Sequence, residues 1–144
     1  MTLALIAVLP FVGAIFAGTG GRFGRQVPVF VALACTLSGL GLILSLAPQA
    51  LAGSVEWHTA WIPALGLDLS FRLDGLGLLF AILILGIGAL ILAYAGFYLD
   101  KSDPMGRFIC QMMLFQGAML GIVLSGNLLL LLVFWEMTSL ASFL

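Results

Sequence analysis

Between Phe108 and Leu144 the chain carries a single charge, Glu136, in 37 residues. As one helix that run would measure about 55 Å, far more than the ~30 Å of a bilayer's hydrocarbon core. Ser125-Gly126-Asn127 supplies a turn signal where a division is needed. The run therefore predicts one helix over about Arg107–Leu124 and another starting near Leu128 and still running at Leu144. No Gly, Pro or basic residue closes that last helix, so the chain is expected to stop in mid-span. Three more uncharged stretches, Met1–Gly21, Gln26–Val55 and Gly75–Leu99, are each long enough to cross a membrane. Hydrophobic residues make up 63% of the chain and charged ones 8%, against roughly 45–50% and 25% in soluble domains. A water-soluble fold of this size could not hide that much apolar surface. The bilayer is the solvent that fits.

The first span is expected over about Thr2–Ala17, ended by Gly18-Thr19-Gly20-Gly21, and the second over about Pro28–Leu46, stopped by Pro48. The third is expected over about Gly75–Leu99, with Tyr94, Phe97 and Tyr98 as interfacial aromatics. The stretch between the second and third spans differs in kind. Leu67, Leu69, Phe71 and Leu73 alternate with Asp68, Ser70, Arg72 and Asp74, a period of two that reads as a strand. Val55–Ile62 supplies an earlier strand rich in Val, Trp and Thr, and Pro63 with Gly66 a turn, giving a β-hairpin over about residues 54–73. The expected fold is thus all-α integral membrane, with about five transmembrane helices, a surface hairpin between helices 2 and 3, and residues 1–144 forming one part of a larger bundle. Arg22, Arg25, Lys101 and Arg107 lie in the first and third connections, whereas the hairpin region holds Arg72 beside Glu56, Asp68 and Asp74. The positive-inside rule then places the N-terminus and the hairpin outside the cytoplasm.

A net charge of -1 gives no basic surface for nucleic acid. Cys35 and Cys110 sit in apolar runs and read as small hydrophobes, without zinc-ligand spacing. Met1-Thr2-Leu3 lacks the basic start of a cleaved signal peptide. Gly75-x-Gly77 has no dinucleotide-binding context, and no Gly-Lys-Ser/Thr loop is present. His58 reads as a surface loop residue rather than a pH sensor or metal ligand. Gly117, Gly121 and Ser125 form a small-xxx-small stripe for close helix packing.

Glu136 is the residue that points to chemistry. Nine residues past Asn127 it lies about 14 Å into the last helix, near the bilayer midplane. An ionised carboxylate there costs at least ~3 kcal/mol and is tolerated mainly against protein interior, water or a cation. Desolvation favours the protonated acid and an approaching Lys or Arg favours the anion, so a movable basic neighbour makes a switchable proton site. Thr138, Ser139 and Ser142 follow, and Ser139 at i+3 shares its face. These hydroxyls either bond the carboxyl and nearby water or merely back-bond to helix carbonyls. All five Lys and Arg belong to loops or helix ends, so a cationic partner of Glu136 must come from elsewhere.

Asn127–Leu144, with Phe134-Trp135-Glu136-x-Thr138-Ser139 at its centre, resembles the fifth transmembrane helix of the large A subunit of Mrp-type multisubunit Na⁺/H⁺ antiporters. The stretch Arg72-Leu-Asp-Gly-Leu-Gly-Leu-Leu-Phe and Gly117-Ala-Met-Leu-Gly are similar to the same subunit. That family is homologous to antiporter-like subunits of respiratory complex I, in which a glycine-rich run is expected after the glutamate. The Thr138-Ser139 pair favours the Mrp branch. The resemblance implies a secondary transporter subunit in the cell membrane, with other membrane subunits as partners and protons and monovalent cations as cargo. It gives Glu136 the proton site, with Thr138 and Ser139 in support, a lysine partner on a later helix, and no cofactor or metal. The alternative it leaves open is a proton-pumping subunit of a complex I-type oxidoreductase or membrane-bound hydrogenase.

Overall fold

The computed structural model describes residues 1–65, 67–100 and 102–144, Leu65 by its backbone alone. The expected turn at Gly66 and the basic residue Lys101 lie outside the described residues. Among the described residues five helices run in chain order: α1 (Thr2–Gly20), α2 (Val27–Ala52), α3 (Gly75–Tyr98), α4 (Met105–Leu124) and α5 (Leu128–Phe143). Between α2 and α3 lie β1 (Val55–Ile62), a 3₁₀ turn (Pro63–Leu65) and β2 (Leu67–Leu73). The first four helices are each long and apolar enough to cross a membrane, while α5 is a shorter apolar helix of 16 residues. This chain is a multi-pass membrane protein.

Two helix ends depart from the sequence expectation. α1 runs through Gly18-Thr19-Gly20 rather than stopping there, and Thr19 Oγ1 donates to the Ile15 carbonyl at 3.1 Å. Gly18 faces Cys110 of α4 and Gly20 faces Val27, so these glycines serve close packing. The chain reverses later, at Gly24, whose φ of +148° suits glycine. α2 passes through Pro48 and reaches Ala52. Proline removes one helical donor, a loss that membrane helices tolerate where neighbouring groups or local adjustment re-satisfy the freed carbonyl.

α1 packs on α4 and α2, α2 on α3, and α4 on α5. The buried side chains form two apolar cores. One, near the hairpin, includes Leu3, Ile6, Ile43, Phe71, Leu85 and Leu124; the other includes Ala17, Val29, Leu92, Ile109 and Met113. Between them lies the buried polar pair Thr36 and Gln116. Large apolar side chains such as Phe30, Leu90 and Phe97 are exposed around the outside, as lipid-facing residues must be. At the end opposite the hairpin, Arg25 donates to the carbonyls of Leu99 and Asp100, and Gln26 to that of Gly96. The loop after α1 thereby satisfies carbonyls that the end of α3 leaves open.

The hairpin pairs antiparallel, with Val55 opposite Leu73, Glu56 opposite Arg72 and Trp57 opposite Phe71. Phe71 and Leu73 are buried, Leu67 and Leu69 half-buried, and Asp68 and Arg72 exposed, which is the alternation the sequence shows. Arg72 pairs with Glu56 and Asp74 across 3.7 and 3.8 Å, all three substantially exposed. Asp74 caps α3 by accepting from the Gly77 amide at 2.8 Å.

Candidate functional site

α5 starts at a double staple. Asn127 Oδ1 accepts from the Leu130 amide at 2.8 Å, while Asn127 Nδ2 donates to the Asp68 carbonyl of β2 at 2.8 Å. The adjacent Gly126 amide donates to the Ser70 carbonyl at 2.6 Å. The hairpin therefore does more than lie on the surface: it anchors the start of the helix that bears Glu136. Asn127→Ala is expected to destabilise by about 1–2 kcal/mol, one part from the cap and one from the hydrogen bond to β2. Asn127→Ser, which keeps a capping oxygen without the reach to Asp68, should lose about half of that, read as a thermal shift of the purified protein.

The rotation of α5 is set near its midpoint by Phe134. Its ring stands 6.4 Å from Phe11 of α1 and 6.3 Å from Phe71 of β2, centroid to centroid. A Cβ placed on Gly121 of α4 would overlap that ring. The small-residue stripe thus has two jobs, since Gly117 receives Phe11 and Pro10 of α1 while Gly121 receives Phe134.

Two residues on, at about 200° around the helix, Glu136 faces outward and is exposed. Leu129, Leu132, Val133, Leu140 and Phe143 are exposed along the same side. Among the described residues no ion pair reaches Glu136. Ser139, one turn on, is exposed on that side too. Thr138 lies half-buried and donates to the Trp135 carbonyl at 2.6 Å, and Ser142 donates to the Thr138 carbonyl at 2.8 Å. Both of those hydroxyls back-bond to the helix; of the neighbouring hydroxyls, Ser139 is the one that accompanies Glu136. A carboxylate amid exposed leucines at mid-helix cannot face hydrocarbon cheaply, so this side of α5 calls for protein, a water-filled cavity or a cation against it.

Two features of the surroundings escaped the sequence reading. Phe134 stands in the sequence only as part of the motif around Glu136, and its packing against Gly121, thirteen residues earlier, is not legible there. Gln116 and Thr36 went unremarked, although a carboxamide amid the apolar run of α4 is itself a signal.

Comparison with known proteins agrees with this architecture. Residues 60–109 match the family described as NADH-ubiquinone oxidoreductase (complex I), chain 5 N-terminus. The chain is 41% identical over 147 residues to Na⁺/H⁺ antiporter subunit A1 of Staphylococcus aureus, covering 100% of this chain and 18% of that protein. The structure of the Mrp complex from Dietzia sp. DQ12-45-1b superposes with a TM-score of 0.85 and 34% identity, over 99% of this chain and 15% of that one. A membrane-bound sulfane sulfur reductase, an archaeal respiratory complex, superposes with a TM-score of 0.84 at 19% identity, over 99% of this chain and 22% of that one. This last likeness is one of fold. The chain spans about a fifth of the length of the curated relatives it matches, and over all of its own length it is similar to the A subunit of such antiporters.

Proposed function

We propose that this chain is part of a membrane subunit of a multisubunit monovalent cation/proton antiporter, a secondary transporter, and that Glu136 is a proton site in it. The 41% identity to an antiporter subunit along the entire chain carries this reading. Its partners are further membrane subunits of the same complex, and its cargo is protons and a monovalent cation. Glu136 binds a proton when its basic neighbour withdraws and releases it when that neighbour returns. Thr138 and Ser139 support the site, Ser139 from the same side of the helix. The protein resides in the cell membrane. Arg22, Arg25 and Arg107 gather at one end of the bundle and the hairpin at the other, which favours an N-terminus outside the cytoplasm.

A second reading is supported by the match of residues 60–109 to a complex I family. In it the same carboxylate would respond to electron transfer in distant subunits. Everted membrane vesicles that carry the native protein with its co-expressed subunits separate the two. After acidification of the lumen, addition of Na⁺ or K⁺ is expected to collapse the pH difference reported by a fluorescent amine. An intact complex that gives no cation response would sink the antiporter reading and leave the redox module.

A further inference from the structure

The charges outside the spans divide by end. Residues 21–26 and 99–107 carry Arg22, Arg25, Lys101 and Arg107 against Asp100 and Asp103, a balance of +2. The hairpin connection carries Glu56, Asp68 and Asp74 against Arg72, a balance of -2. Packing concentrates the positive end further. Gly21, just past α1, meets Gly106 in the first turn of α4: a methyl group on Gly106 would come within 3.6 Å of the Gly21 Cα and 3.1 Å of the Ala17 carbonyl. Arg22 and Arg107 are the next residues in these two segments. Their amides donate to the carbonyls of Thr19 at 3.3 Å and Pro104 at 3.0 Å, which holds both backbones. With successive Cα atoms about 3.8 Å apart, the glycine contact keeps the Cα atoms of Arg22 and Arg107 within about 13 Å of each other.

Both arginines are exposed, and among the described residues neither forms an ion pair. Asp103 lines the same cleft as Arg107 without pairing with it. Two guanidinium groups gathered in this way repel one another, and an anion between them turns that repulsion into attraction. Phe23 narrows the kind of anion. It follows Arg22 directly and is 84% exposed, in the turn that joins two membrane-spanning helices. A basic side chain beside an exposed aromatic suits the boundary where headgroups meet acyl chains. Inorganic phosphate would use the arginines and leave Phe23 in water. A lipid uses both.

We propose that Arg22 and Arg107 form a clamp for the headgroup phosphate of an anionic phospholipid, with Phe23 set against its acyl chains. Each guanidinium offers a planar fork of donors to the phosphate oxygens, and the Gly21–Gly106 contact sets the spacing of the two forks. A zwitterionic lipid brings the same phosphate with an ammonium of its own, so net charge separates the two lipid classes. The site is independent of Glu136, and its test reads lipid binding rather than transport.

The native protein with its co-expressed subunits, in phosphatidylcholine nanodiscs, is the system. A photoactivatable diazirine is carried at the top of an acyl chain, either on phosphatidylglycerol or at the same place on phosphatidylcholine. Adducts mapped by peptide mass spectrometry are expected on residues 21–26 and 104–108. Phosphatidylglycerol should give about tenfold more of them, from a factor of about five per basic residue at an anionic surface, reduced by salt screening. In the double variant Arg22→Gln with Arg107→Gln that preference should fall to near unity. The wild-type ratio of the two lipids stands by itself if the variant does not assemble. Equal labelling by the two lipids would overturn the proposal, as would a preference that survives in the double variant. So would loss of the adducts on adding millimolar inorganic phosphate, which marks a site for soluble anions, or segments left unlabelled because other protein covers them.

Discussion

Glu136→Gln is expected to bring cation-induced collapse of the pH difference down to the vesicle leak, with the complex present at wild-type abundance. The argument turns on how closely glutamine copies the neutral acid. The carboxamide has the shape of a protonated carboxyl and keeps both a donor and an acceptor, so a glutamate that only bonds a neighbouring helix would be replaced with little loss. Glutamine cannot release a proton. A positioned proton-transfer group contributes about 10²–10⁴-fold to rate, and a deficit of that size would separate proton traffic from packing. Glu136→Asp keeps the acid but retracts it by one methylene, and should retain part of the rate. Activity near wild type in Glu136→Gln would reduce Glu136 to a structural acid. The exposed position of Glu136 on α5 strengthens the test, because its side chain does not hold the five helices together and the substitution leaves the bundle's own contacts in place.

What the sequence revealed and what it hid divide along physical lines. The helices were legible because a bilayer demands long uncharged runs, and the hairpin because Leu67 to Leu73 alternates with a period of two. Helix ends were less so: Gly18, Gly20 and Pro48 are breakers in water, yet inside α1 and α2 they accommodate neighbours or forgo one hydrogen bond. Glu136 stood out because charge in hydrocarbon is rare. Its direction did not, since the rotation of α5 depends on Phe134 entering the space left by Gly121, a contact between helices that no local pattern records. The same holds for Asn127, legible as part of a turn but not as a tie to Asp68.

That contact between α4 and α5 yields the second large effect. Gly121→Val should cut transport by about tenfold or more while the protein still inserts in the membrane. The added branch would occupy the place of the Phe134 ring, and the ring is hemmed in by Phe11 and Phe71, so α5 must turn or move away from α4. Overpacking of this kind costs about 1–3 kcal/mol. The functional loss is expected to exceed what that stability change explains, because displacement of a reacting group by about 1 Å can cost 10²-fold. Rotation at Phe134 carries Glu136 with it, both being on one rigid helix. Phe134→Ala alone removes the wedge and should loosen α5 and lower thermal stability. Combined with Gly121→Val it leaves room for the new side chain, so the double variant should be more active and more stable than Gly121→Val alone. A coupling of about 0.5–3 kcal/mol is expected for residues in direct contact. Additive losses in this cycle would show that Phe134 and Gly121 act separately, and that the direction of Glu136 is set by the Asn127 staple at the start of the helix instead.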